Sequence, residues 1–86
     1  MINKKEYGEF ISLYNNIKDI DSYYIRKDVK INKIKILQEG ISENNSILFC
    51  IKNKINELDK NNYNEFIGML EGFSISLKIY CVINLI

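Results

Sequence analysis

Residues 63–86 read YNEFIGMLEGFSISLKIYCVINLI, and this stretch decides the fold. Its apolar residues recur at helical spacing, so it predicts a helix. Phe66, Leu70, Phe73, Leu77 and Cys81 form one apolar stripe. Gly68, Gly72 and Ser76, continued by Ile79 and Ile83, form a second stripe on the opposite side, and Glu71, Ser74 and Lys78 make a narrow polar seam between the two. A helix apolar on one stripe needs one neighbour, whereas a helix apolar on two opposed stripes needs neighbours on both sides. In a chain of 86 residues, one of those neighbours can be another molecule. The pattern therefore points to a protein that works by packing against something rather than by catalysis.

Just upstream, Asp59 to Asn62 is a short polar turn, and Ile47, Leu48, Ile51, Ile55 and Leu58 occupy one arc of a third helix opened by Ser42 and Glu43. A short connection favours antiparallel neighbours, hence a C-terminal helical hairpin. A turn centred near residue 61 sets Ile47, Ile51 and Ile55 beside Ser76, Gly72 and Gly68. On that register the small stripe seats helix three and the large stripe takes helix one. The competing reading leaves Gly68, Gly72, Ser76, Ile79 and Ile83 free as a self-association seam, because small residues four apart let another backbone approach closely. The same register separates Cys50 and Cys81 by roughly 13 Å along the axis at ~1.5 Å per residue, too far for a disulfide. Both cysteines are read as packing residues.

Towards the N-terminus, Asn3 and Glu6 match a capping box, and Tyr7, Phe10, Ile11, Tyr14 and Ile17 then recur at helical spacing, predicting a helix over residues 4–18. Residues 21–38 are ambiguous. Tyr23, Ile25, Val29 and Ile31 alternate like a strand, while Ile34 and Ile36 fall on the other parity. A composition rich in Lys and free of Gly and Pro favours helix over a short β-hairpin, with Gly40 as its stop. The expected fold is all-α: one domain over residues 1–86, a small bundle of three to four helices.

Hydrophobic residues make up 47% of the chain and charged residues 27%, which excludes intrinsic disorder. The net charge of +1 excludes a strong overall field for polyanions. Residues 1–35 carry eight Lys/Arg against five acids, so a mild basic patch is confined to the first half. No His is present, which leaves Ser or Cys without its usual base, and the carboxylates are spread along polar faces. No catalytic residue, metal site or cofactor is expected. Residues 66–86 have the length of a membrane span, but Glu71 and Lys78 near its middle would each cost about 3 kcal/mol, so no membrane association is expected. The mostly polar residues 1–9 lack a signal-peptide core, and the cysteines lack a paired spacing, so a reducing cytoplasm is the expected location.

The candidate partner-binding residues are Tyr23, Tyr24, Arg26, Lys30 and Lys33, a tyrosine pair followed by a basic stripe, with Phe49 as an aromatic on the polar side of helix three. The partner expected is a larger host protein or nucleoprotein complex, with homo-oligomerisation. The alternative is an oligomeric regulator or sponge that holds nucleotides or nucleic acid between subunits.

Residues 65–78, EFIGMLEGFSISLK, resemble the C-terminal helix of small uncharacterised helical proteins of low-GC Gram-positive bacteria and their phages, in which an aromatic, a Gly-Phe pair and a following small residue recur. Ser74 and Ser76 depart from the basic residue and the Gly more usual there. The resemblance implies a phage or mobile-element product, many of which are small inhibitors of host defence such as anti-CRISPR proteins.

Overall fold

The computed structural model describes residues 3–84, with side chains through Ile79. Among the described residues it is all-α: helices α1 (Lys4–Asp21), α2 (Lys27–Leu37), α3 (Ser46–Asn56) and α4 (Tyr63–Asn84), with a 3-10 turn at Gln38–Gly40 after α2.

α1 begins where expected, because the Asn3 side chain accepts the Glu6 amide at 2.9 Å. It runs three residues beyond residue 18, since Ile20 continues the buried row Phe10, Leu13 and Ile17. Ser22 closes it: its amide bonds to the carbonyls of Lys18 and Asp19, and its hydroxyl donates to the Asp19 carbonyl at 2.6 Å.

The helix expected over residues 21–38 is shorter at its start. Residues 22–26 form the bend between α1 and α2, and there is no β-hairpin among the described residues. Only Ile31 and Ile34 of α2 are buried, whereas Ile36 is 70% exposed and Ile25 stands outside the helix. Those two isoleucines blurred the period. The Lys30 ammonium donates to the Asp21 carbonyl, tying the start of α2 to the end of α1. α2 then runs back so that Leu37 and Ile41 line one groove with Leu13 and Asn16.

α3 opens at Asn45 and not at Ser42–Glu43. Asn45 is buried; its side-chain oxygen accepts the amides of Ile47 and Leu48 at 3.0 and 3.2 Å, and its amide group donates to the Glu6 carbonyl at 3.1 Å. One side chain thereby caps α3 and pins that helix to the N-terminal end of α1. Before it, Ile41 is extended and buried and Glu43–Asn44 form a turn, so the helix begins only after Asn45. Asp59 and Asn62 form the expected turn into α4, each accepting the other's amide.

α1 is central and packs against α2, α3 and α4. α3 starts beside the N-terminal end of α1, whereas Tyr63, at the head of α4, bonds to Asp21 at the C-terminal end of α1. α4 therefore runs antiparallel to α1 and α3. It buries Tyr63, Phe66, Ile67 and Leu70 against a core whose fully enclosed members include Phe10, Ile17, Ile34, Ile51 and Ile55, with Leu77 partly covered farther along. Burying each such side chain is worth about 1.5–3 kcal/mol, so this face of α4 drives docking.

The register that seats helix three on the small stripe is corrected. Gly68, Gly72 and Ser76 are exposed, and a Cβ built on either glycine would meet nothing within 4 Å. Both flanks of α4 are not consumed within the chain, because the bulk of the core lies on the Leu70 side. Cys50 is exposed rather than a packing residue, and the side chains of Cys81 and Ile83 lie outside the described residues.

Replacing Asn45 by Ala should destabilise the protein by about 1–3 kcal/mol, since it removes the cap and leaves the buried Leu48 amide without its acceptor. Replacing the exposed Asn44 should change stability by less than about 0.5 kcal/mol. Equal midpoints for the two variants in urea unfolding would refute the role given to Asn45.

Candidate functional site

The bend between α1 and α2 projects the most exposed aromatic group among the described residues. Tyr24 is fully exposed, and Tyr23 and Ile25 are about two-fifths exposed. The bend is held from inside. The Tyr23 amide bonds to the Ile20 carbonyl, and its hydroxyl donates to Asp19 Oδ2 at 3.1 Å. That hydrogen bond raises the Tyr23 pKa, with the Asp19 charge and slight burial adding to it. The Lys33 ammonium sits 5.8 Å from the centroid of the Tyr23 ring, within cation–π range.

Arg26 precedes α2 without a side-chain cap of its own. Asp28 supplies one instead: its Oδ1 accepts the Val29 amide at 3.0 Å, and the Arg26 guanidinium binds both carboxylate oxygens at 3.1 and 2.8 Å. Burial alone would push the Asp28 pKa up, but the Arg26 charge and these hydrogen bonds more than offset it, leaving it lowered. The Arg26 side chain remains 80% exposed, so this pair holds it in place without hiding it.

Of the residues expected to bind a partner, Tyr23, Tyr24, Arg26 and Lys33 thus gather on one exposed surface, and Tyr23, Tyr24, Ile25, Arg26 and Lys30 line a shallow, open depression. Lys30 is different, because its ammonium is directed at the end of α1 and its side chain is only 16% exposed. Phe49 is exposed on α3, whose start is pinned at the opposite end of α1, so the structure does not bring it to the tyrosine cluster.

Beneath the cluster lies a polar node that the sequence reading missed. Asp21 Oδ1 accepts the Tyr63 hydroxyl at 2.7 Å and lies 4.0 Å from the Lys30 ammonium, while Lys18 is 3.9 Å from Oδ2. Lys27 completes it from above, 5.6 Å from the centroid of the Tyr63 ring. Tyr63 stands at the first position of α4 and in phase with Leu70, which is the one sequence signal that could have found it. At the residue after Leu70, Glu71 forms an ion pair with Lys18 at 2.6 Å, whose hydrogen bond raises the Lys18 pKa against the opposing effect of partial burial.

The seam residues Gly68, Gly72, Ser76 and Ile79 all face outward on α4. Among the described residues no cluster of three or more His, Cys, Asp or Glu could hold a metal ion, and no helix is long and apolar enough to cross a membrane. No protein-family model matches the chain, and neither characterised proteins nor solved structures yield a match.

Burial and then the Asp21 hydrogen bond raise the Tyr63 pKa far above its ordinary value of about 10. Above about pH 10 the folded state therefore holds a proton that the unfolded chain has lost. The stability this contributes is complete below about pH 10 and is lost as the pH rises through the raised value. Tyr63→Phe should lower stability by about 1–2 kcal/mol at neutral pH and make the alkaline decline shallower. Denaturant unfolding from pH 8 to 11 checks this, and parallel curves for the two proteins would refute it.

Proposed function

We propose that this is a non-catalytic binding protein that docks onto a larger protein through the α1–α2 bend, with Tyr23, Tyr24, Arg26 and Lys33 as its contact residues. The observation that carries the reading is a fully exposed tyrosine beside an exposed guanidinium held by Asp28, on a bend tied down by hydrogen bonds. Tyr and Arg are the side chains most often found at the energetic centres of protein interfaces. A tyrosine held by its neighbours loses little conformational entropy when a partner covers it. The basic flank suits an acidic surface on that partner, and Lys30 and Asp21 brace the bend from within.

Within this class, the likeness of residues 65–78 to helices of phage and low-GC bacterial proteins favours an inhibitor or adaptor acting on a host defence complex in the cytoplasm, in the manner of anti-CRISPR proteins. Such a protein needs no chemistry of its own, since covering a functional surface is enough. The sponge reading, in which subunits hold nucleotides between them, competes with this one on a simple observable: ultraviolet absorbance of bound nucleotide in freshly isolated protein.

The test compares the wild type with a Tyr24→Ala, Arg26→Glu, Lys33→Glu variant in affinity capture from host extract. All three positions are exposed, so circular dichroism should be unchanged. A specific protein retained by the wild type should bind the variant at least about tenfold more weakly, and its binding should fall as salt rises. Equal capture by the two proteins would overturn the site, and copurifying nucleic acid without a protein partner would overturn the function.

A further inference from the structure

The outer face of α4 has a pattern that its own chain leaves unused. Ile75 is 62% exposed and Ile79 56% exposed, and Gly68 and Gly72 have open space where a Cβ would stand. Single exposed isoleucines are ordinary. These four residues, however, follow one another at spacings of four, three and four, the repeat of a coiled-coil seam, on the side of the helix opposite buried Leu70. A helix-interior glycine costs about 1 kcal/mol relative to Ala, and nothing among the described residues requires one at either position.

We propose that this face is covered by α4 of a second copy of the chain, running antiparallel about a two-fold axis between Phe73 and Ser74. That axis sets Gly72 opposite Ile75 of the second copy and Gly68 opposite its Ile79, with the reverse pairs generated by symmetry. Every layer then joins one large side chain to one glycine, so the helices can approach closely without leaving voids. A parallel pairing would set glycine on glycine and isoleucine on isoleucine, alternating gaps with crowding.

Charge selects the same arrangement. Glu71 and Lys78 lie seven residues apart on one flank of the seam, and in an antiparallel pair this flank meets its own copy. Glu71 of each chain then lies about two residues, ~3 Å along the axis, from the level of Lys78 of the other. Both side chains are exposed, and Lys78 has no ion-pair partner among the described residues. Lys18 already holds Glu71 from the other side at 2.6 Å. In a parallel pair the flank would face the opposite one, where Met69 and Ser76 lie, and both charges would be left unmatched.

The second copy therefore occupies a face distinct from the α1–α2 bend, and its test is independent of the docking proposal. Light scattering over a tenfold concentration range should give twice the 10.1 kDa mass of the chain, and Lys78→Glu should weaken the dimer about fivefold or more. Orientation is read by oxidation in a Cys50→Ser, Cys81→Ser background. A mixture of Gly68→Cys and Ile79→Cys chains should form the mixed disulfide, while neither chain alone should cross-link, because like residues would lie about 16 Å apart along the axis. A monomer at every concentration, or efficient cross-linking of either chain with itself, would overturn the proposal.

Discussion

The hydroxyl of Tyr63 on the carboxylate of Asp21 is the bond on which the arrangement of the helices turns. It joins the first residue of α4 to the last residue of α1, and the Lys30 ammonium brings the start of α2 to the same point. Three helix ends therefore meet at one residue, Asp21. The apolar face of Phe66, Ile67 and Leu70 supplies far more free energy than the bond does, but apolar contact is non-directional and tolerates sliding. The partly buried hydrogen bond sets the level at which α4 meets α1, and leaving the hydroxyl of buried Tyr63 without an acceptor would make any other level costly.

At the other end of α1, Asn45 has the corresponding task for α3. With α3 fixed at one end and α4 at the other, the bundle presents two distinct exteriors. One is the tyrosine-rich bend that follows α1, where the chain has no apolar residues to spare for the core except Ile25, itself about two-fifths exposed. The other is the far side of α4, where isoleucines and glycines stand in the open. A small chain with one core can bury only one face of a long helix, so a second apolar face is an offer to another molecule.

Much of this was legible in advance. The start of α1, the polar turn at Asp59–Asn62, the buried members of α3 and the two-sided character of α4 all follow from periodicity and capping chemistry. What misled was local ambiguity. Ile36 and Ile25 look like core residues but face water, so α2 showed no clean period, and Ser42–Glu43 offered a plausible cap in competition with Asn45. Among the candidate residues, Tyr23, Tyr24, Arg26 and Lys33 were singled out because aromatic and basic residues crowd one short stretch, and they do lie together and exposed. The inward turn of Lys30 and the Asp21–Tyr63 node were not foreseen, since they join residues 9 and 42 positions apart.

The amino-acid sequence by itself determined that the chain is helical, that its last helix is apolar on two sides, and that it contains no His. These are properties of spacing and composition, carried by each segment alone. Tertiary structure alone decided which face of α4 goes inside. Both stripes are apolar enough to pack, but only the face with Tyr63, Phe66, Ile67 and Leu70 brings large side chains into the core and a hydroxyl within reach of Asp21. On the other side Gly68 and Gly72 add no side-chain volume, so burying that stretch against α1 would leave a gap in the core, and it was left for the outside.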